Sequence, residues 1–183
     1  MIVCGVDEAG RGPLAGPVYA AAVILPPHIE IPGLHDSKKL SEGRREKLFP
    51  LIKHLARGWA VASASAEEID RLNIREASML AMNRAVAALE LRPDLALIDG
   101  DYASGFGMEA RAIVRGDDLE PSISAASILA KVSRDTYMRE LARQYPEYGF
   151  ELHKGYGTKF HVERLRKYGP CPEHRALFIR KFV

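Results

Sequence analysis

The sequence is poor in the features of secreted and membrane proteins. Its 183 residues include only two cysteines, Cys4 and Cys171. They are too few and too far apart for a disulfide framework or a zinc-ligand pattern. No apolar run approaches the roughly 18 residues needed to span a bilayer. Asp7 and Glu8 also interrupt the N-terminus before a basic-then-apolar leader can develop. These absences lead us to expect a cytoplasmic protein with no membrane partner. Internal repeats, low-complexity segments and an obvious linker are missing too, so a single domain over residues 1–183 is expected. Hydrophobic residues make up 47% and charged residues 27%, enough to bury a core without metal or disulfide staples.

The net charge of +2 conceals an asymmetry. From Lys131 onward there are 12 Lys and Arg against 6 Asp and Glu, whereas the preceding residues carry 14 against 18. A basic C-terminal third beside an acidic remainder fits a polyanion-binding surface that feeds an acidic site. On charge alone, a solvated helical surface without a partner explains the pattern at least as well.

Hydrophobic patterning predicts strands at 1–6 and 18–25, joined by the Gly/Pro-rich stretch GRGPLAGP. Residues 41–55 read as a helix and 58–65 alternate like a third strand. Ser65 with Glu68, and Asn73 with Glu76, have capping-box spacing. They predict a short helix followed by a longer one to about Leu89. That longer helix carries two apolar rows, a stripe wide enough for the core. Short strands at 95–98 and 112–114 follow, then a long helix from about Ser122 to Gln144. Residues from about 145 to 183 form a basic helical extension rich in His and Tyr. Strands first, then mixed strand and helix, indicate an α/β fold with helices packed on a mixed β-sheet.

Acidic residues fall at three strand ends: Asp7-Glu8, Asp99 with Asp101 nearby, and Asp117-Asp118. Loops at the strand ends of an α/β sheet bring distant residues into one site. Clustered carboxylates repel one another and need a cation or a shared proton. Their hard oxygens suit Mg²⁺ or Mn²⁺, and two such ions can serve phosphodiester hydrolysis. A single acid at a strand end is more often a turn or cap residue.

The blocks GVDEAGRGPLAGPV, HDSKKLS, LIDGD, ISAASILAKVSRD and HKGYGT occur in this order. Together they closely resemble the ribonuclease HII group of the type 2 RNase H family, over nearly the whole chain. The resemblance implies an RNase H-like fold with a C-terminal helical extension. It also implies endonucleolytic cleavage of the RNA strand of RNA–DNA hybrids, and nicking 5′ of single ribonucleotides embedded in duplex DNA. Products would carry 5′-phosphate and 3′-hydroxyl ends. By the same resemblance, Asp7, Glu8, Asp99 and Asp117 would be the catalytic metal ligands, holding two Mg²⁺ or Mn²⁺ ions with substrate bound. Asp118 is disfavoured because the family's acid directly follows the glycine. Asp135 beside Arg134 is read as structural rather than metal-binding.

Gly10, Arg11 and Gly12 are assigned by resemblance to the ribose and its adjoining phosphate. Physically, reading a 2′-hydroxyl with backbone groups requires that no side chain block the approach, which glycine permits. Read without the resemblance, the tripeptide is a plain turn with a solvated arginine. Tyr156 looks like the family's sugar-stacking tyrosine, with Lys154 and Lys159 beside it. Lys38, Lys39, Ser124, Lys131, His153 and Lys154 are candidate phosphate contacts. For Ser124 a helix-bracing role competes with this.

Three other readings compete. A non-catalytic nucleic-acid-binding module would explain the basic tail but leave four acids facing a polyanion. A ribonuclease HIII would carry an extra N-terminal substrate-binding domain. The type HII form is expected because the strand bearing Asp7 starts at once and the tripeptide is GRG. A phosphatase acting on small substrates does not account for the basic and aromatic content. A monomer is expected. Residues 178–183 contain no clamp-binding peptide with its usual glutamine, so clamp recruitment stays open.

Overall fold

The computed structural model describes residues 1–183, apart from the side chain of Asp36. Five strands form one mixed sheet: β1 (Val3–Ala9), β2 (Val18–Ile24), β3 (Gly58–Ala64), β4 (Leu95–Asp99) and β5 (Glu109–Ile113). Their spatial order is β3-β2-β1-β4-β5. The first three strands are antiparallel neighbours, whereas β4 pairs parallel with both β1 and β5. Eight helices follow the strands in part: α1 (Glu42–Leu55), α2 (Ala66–Leu72), α3 (Ile74–Ala87), α4 (Gly116–Leu119), α5 (Pro121–Gln144), α6 (Phe150–His153), α7 (Lys159–Tyr168) and α8 (Ala176–Ile179). A 3₁₀ helix at Leu34–Lys39 precedes α1.

The period of two along a strand divides the core between the two faces of the sheet. Cys4, Val6, Ala20, Ala22, Ile24 and Ile98 pack with Ala77, Ala81, Met82 and Ala85 of α3. Ala21 and Val23 face the other way, against Ala125, Ile128 and Leu129 of α5 and Ile52 of α1. The long helix α5 lies almost on the backbone of β1. A Cβ at Gly5 would sit 2.3 Å from the Ile123 nitrogen, so only glycine allows the approach.

Both capping expectations are met. Ser65 and Glu68 form a reciprocal box at the start of α2, and Asn73 caps α3 through the Glu76 amide. Strand β1 departs from expectation, since it runs to Ala9 rather than ending at residue 6. Pairing with β2 continues through Glu8↔Ala20 and Ala9↔Tyr19, whereas pairing with β4 stops at Val6↔Ile98. Asp7 and Glu8 therefore lie in a strand that has one free edge, not in a turn. The C-terminal part is helical, as expected. Phe182 folds back onto the cluster of Leu14, Leu165 and Ile179. Among the described residues, no helix is long and apolar enough to cross a membrane.

Candidate active site

Three elements distant in sequence converge on one cleft. Asp7 comes from β1, Asp99 is the last residue of β4, and Asp117 enters at the start of α4 after Arg115 adopts a left-handed conformation. One carboxylate oxygen from each lies within 4.8 Å of the others. The Asp117 amide donates to Asp99 Oδ1 at 3.1 Å, which fixes α4 against the end of β4. The cleft is about 400 Å³, and Asp7, Glu8 and Asp117 are in its lining. Gly10–Gly12, Lys38, Lys131 and Tyr156 are also in its lining, so the acids share it with the GRG loop.

The acids destabilise one another. Burial, then the charges of Glu8 and Asp99, hold the Asp7 carboxyl well above the usual carboxylate range. Burial also raises Glu8, opposed by its hydrogen bond with Asp7 and by the Arg11 charge. Asp99 is raised by burial and by the neighbouring Asp117. Glu8 Oε2 and Asp117 Oδ1 are buried without a hydrogen-bond partner among the described residues. Converging hard oxygens, raised carboxyls and orphaned acceptors fit a divalent cation, which would remove the repulsion and satisfy those atoms.

Glu8 stands apart from the trio. It follows Asp7 in a regular strand and so leaves the backbone on the opposite face. Its carboxylate reaches the cleft, with Oε1 3.9 Å from Arg11 Nη1, while its amide donates to Asp7 Oδ1 at 2.8 Å. Asp118 also lies outside the trio, between Arg115 at 3.3 Å and Lys38 at 3.9 Å.

The expected substrate contacts divide into two sets. Gly10, Arg11, Gly12 and Tyr156 are together in the cleft, and a Cβ at Gly12 would sit 3.7 Å from Tyr156 Cε1. Lys38 reaches over the acids, 3.2 Å from Asp117 Oδ2, and this bond raises its pKa. Lys131 lines the cleft while pairing with Asp135 at 2.9 Å, and Asp135 is buried away from the trio. Lys39 is exposed and is not part of the cleft lining.

Three of the expected contacts have other partners in this structure. Ser124 is buried, and its hydroxyl donates to the Leu34 carbonyl, so it braces α5 against the 3₁₀ helix. His153 commits both ring nitrogens internally: Nδ1 accepts from the Gly155 amide and Nε2 donates to the Tyr148 carbonyl at 2.7 Å. Lys154 turns its ammonium to the Glu151 carbonyl at 2.6 Å. None of the three is part of the cleft lining.

The sequence gives little warning of the residues that shape the loops. Arg134 and Arg175 are almost wholly buried, and each donates to three backbone carbonyls. Arginine is ordinarily a surface residue and a carbonyl partner has no side-chain signature. Ser37 and Arg45 also line the cleft without having been singled out. Only the HDSKK block, which contains Ser37, could have pointed to one of them.

Comparison with known proteins agrees with this architecture. The family profile described as Ribonuclease HII matches residues 4–182. Ribonuclease HII of Bordetella avium is 57% identical over 176 residues, covering 96% of this chain and 87% of that protein. The Burkholderia thailandensis ribonuclease HII is 60% identical over 177 residues, covering 97% and 83%. Among solved structures, ribonuclease H2 from Pyrococcus horikoshii OT3 superposes with a TM-score of 0.83 at 29% identity, covering 100% of this chain and 97% of that one. RNase HII from Archaeoglobus fulgidus, solved in complex with PCNA, gives a TM-score of 0.76 at 29% identity, with coverage of 92% and 88%. With the acids gathered at the ends of β1 and β4 and the match extending over nearly its full length, this chain belongs to the ribonuclease HII family and is a metal-dependent ribonuclease.

Proposed function

We propose that this enzyme hydrolyses the RNA strand of RNA–DNA hybrids and nicks duplex DNA on the 5′ side of a single embedded ribonucleotide. The observation that carries this reading is the Asp7–Asp99–Asp117 cluster, of which Asp7 and Asp117 line the same cleft as the Gly10–Gly12 loop facing Tyr156. Two Mg²⁺ or Mn²⁺ ions, held by Asp7, Asp99 and Asp117 with Glu8 completing the set, would supply charge neutralisation and an activated water.

The chain's own groups do the rest. Water oxygen bonds to phosphorus, the bond to the 3′-oxygen of the preceding nucleotide breaks, and that oxygen takes a proton. The 5′-phosphate stays on the ribonucleotide. In this register the 2′-hydroxyl is not adjacent to the leaving oxygen, so it serves recognition rather than attack. Gly10–Gly12 offer backbone at close range to that hydroxyl. Tyr156, 41% exposed, offers a ring face to the next sugar. Lys38, Lys39 and Lys131 add phosphate affinity that weakens with salt. Residues 1–183 act as one domain and as a monomer, with 145–183 as its basic extension.

Asp99→Asn separates a nuclease from a binding module. Retained hybrid binding with lost cleavage supports the nuclease reading, unchanged binding and cleavage would remove Asp99 from the catalytic site, and hybrid binding by the wild type without any cleavage would favour the binding module.

A further inference from the structure

The segment around His174 and Arg175 runs antiparallel to residues 14–16. Gly16 N donates to Glu173 O and Arg175 N to Leu14 O, both at 2.8 Å, with Ala15 opposite His174. From this short ladder the two side chains diverge. Arg175 is fully buried. Its Nη2 donates to Gly10 O at 2.6 Å, Nη1 to Arg11 O at 2.9 Å, and Nε to Gly16 O at 2.9 Å. No carboxylate forms an ion pair with it among the described residues. Burying an unpaired guanidinium is costly, and an apolar side chain would fill the space at lower cost. What the guanidinium adds is a rigid, planar set of donors.

That planarity has a consequence for the GRG loop. In a trans peptide the carbonyl and the following N–H point in opposite directions. With the carbonyls of Gly10 and Arg11 drawn inward to Arg175, the amides of Arg11 and Gly12 turn outward. Neither amide has a partner among the described residues. The loop therefore presents two adjacent N–H donors beside Tyr156.

His174 acts toward Tyr156 instead. Its Nδ1 accepts from the Cys171 amide at 3.0 Å, so Nε2 carries the proton and donates to His161 Nε2 at 2.9 Å. His161 must then carry its own proton on Nδ1, which donates to the Tyr156 carbonyl at 2.9 Å. The backbone thus sets both tautomers, and the relay ends on the residue facing Gly12.

We propose that His174-Arg175 is the positioning dipeptide for ribose selection: Arg175 aims the Arg11 and Gly12 amides, and His174 acting through His161 sets Tyr156 opposite them. The proposal rests on the functional reading above and names the device behind its substrate choice. The two outward amides would donate to an oxygen acceptor, which the 2′-hydroxyl supplies and a deoxyribose lacks.

The test is binding in an Asp99→Asn background, comparing a duplex with one ribonucleotide against an all-DNA duplex. Arg175→Lys replaces the planar fork of three donating nitrogens by a single ammonium nitrogen that cannot hold all three carbonyls in their present geometry, and should lower the preference for the ribonucleotide about tenfold, with all-DNA affinity unchanged. His161→Asn places an amide N–H near the former Nδ1, whereas His161→Gln places its amide nearer the former Nε2. The Asn variant should keep the preference better than the Gln variant, an asymmetry that a purely structural role would not give. Should Arg175→Lys fail to fold, the His161 pair decides. Unchanged preference in a folded Arg175→Lys, or equal preference in the two His161 variants, overturns the proposal. The Asp99→Asn protein binding both duplexes equally would overturn it as well. Wild-type enzyme that fails to nick the ribonucleotide duplex would instead sink the functional reading on which it rests.

Discussion

Gly10 and Arg134 occupy complementary space. A Cβ on Gly10 would lie 2.1 Å from Arg134 Nε, and Gly10 has φ +93°. Arg134 cannot step aside, because its guanidinium is held by the carbonyls of Ala15, Pro17 and Lys154 at 2.8–2.9 Å. Gly10→Ala therefore meets both backbone strain and a fixed neighbour, and should destabilise by about 3 kcal/mol. Chemical denaturation measures this, and a loss below about 0.5 kcal/mol would contradict the packing argument.

The acid trio predicts a stability exchange between the metal-free and loaded enzyme. Because burial and like charges raise Asp7, its ionised form opposes folding in the absence of a cation. Asp7→Asn should raise the melting temperature of the metal-free protein. The wild type should instead gain about 2.7 kcal/mol at a Mn²⁺ concentration 100 times Kd, roughly 5–11 °C for a chain of this size. Asp7→Asn should lose that gain, as thermal melts with and without Mn²⁺ would report.

The buried histidines predict acid sensitivity. Burial lowers His161 and His174 to about 4 and also lowers His153. A depressed histidine contributes stability above its unfolded value near 6.5, and that contribution is lost as pH falls through 4. His161 and His174 cannot both gain a proton without placing two N–H groups in opposition at 2.9 Å. The melting temperature should therefore fall between pH 6.5 and 4, and His161→Asn should flatten that fall. Parallel profiles for wild type and variant would contradict the assignment.

The capping box offers a control remote from the cleft. Ser65→Ala removes the acceptor for the Glu68 amide and should cost about 1 kcal/mol. Cleavage rate should stay within twofold of wild type in a steady-state assay below the melting range.

What could be read from the sequence was local. Ser65 and Glu68 signal their helix start because cap and backbone partner lie three residues apart. Asp99 at the end of an apolar strand and Asp117 just after the next strand stand out only in company with Asp7-Glu8, because a single acid in such a place is ordinarily a turn or cap residue. The end of β1 was not legible, since its continuation depends on Tyr19 and Ala20 of β2, which hold Ala9 and Glu8 in register. Ser124, His153 and Lys154 looked like phosphate contacts because their types suit that role. Their actual partners, the carbonyls of Leu34, Tyr148 and Glu151 together with the Gly155 amide, are backbone groups that any residue could supply. Arg134 and Arg175 escaped notice for the same reason.

The central claim is that the trio cuts where the neighbouring loop detects a ribose. The most direct test is a duplex with one embedded ribonucleotide, labelled at its 5′ end and incubated with Mg²⁺ or Mn²⁺. A single nick on the 5′ side of the ribonucleotide, leaving a 3′-hydroxyl on the labelled piece and absent from an all-DNA duplex, is the predicted result. Cleavage of the all-DNA duplex at a similar rate, or no nick at the ribonucleotide with either ion, would contradict the account.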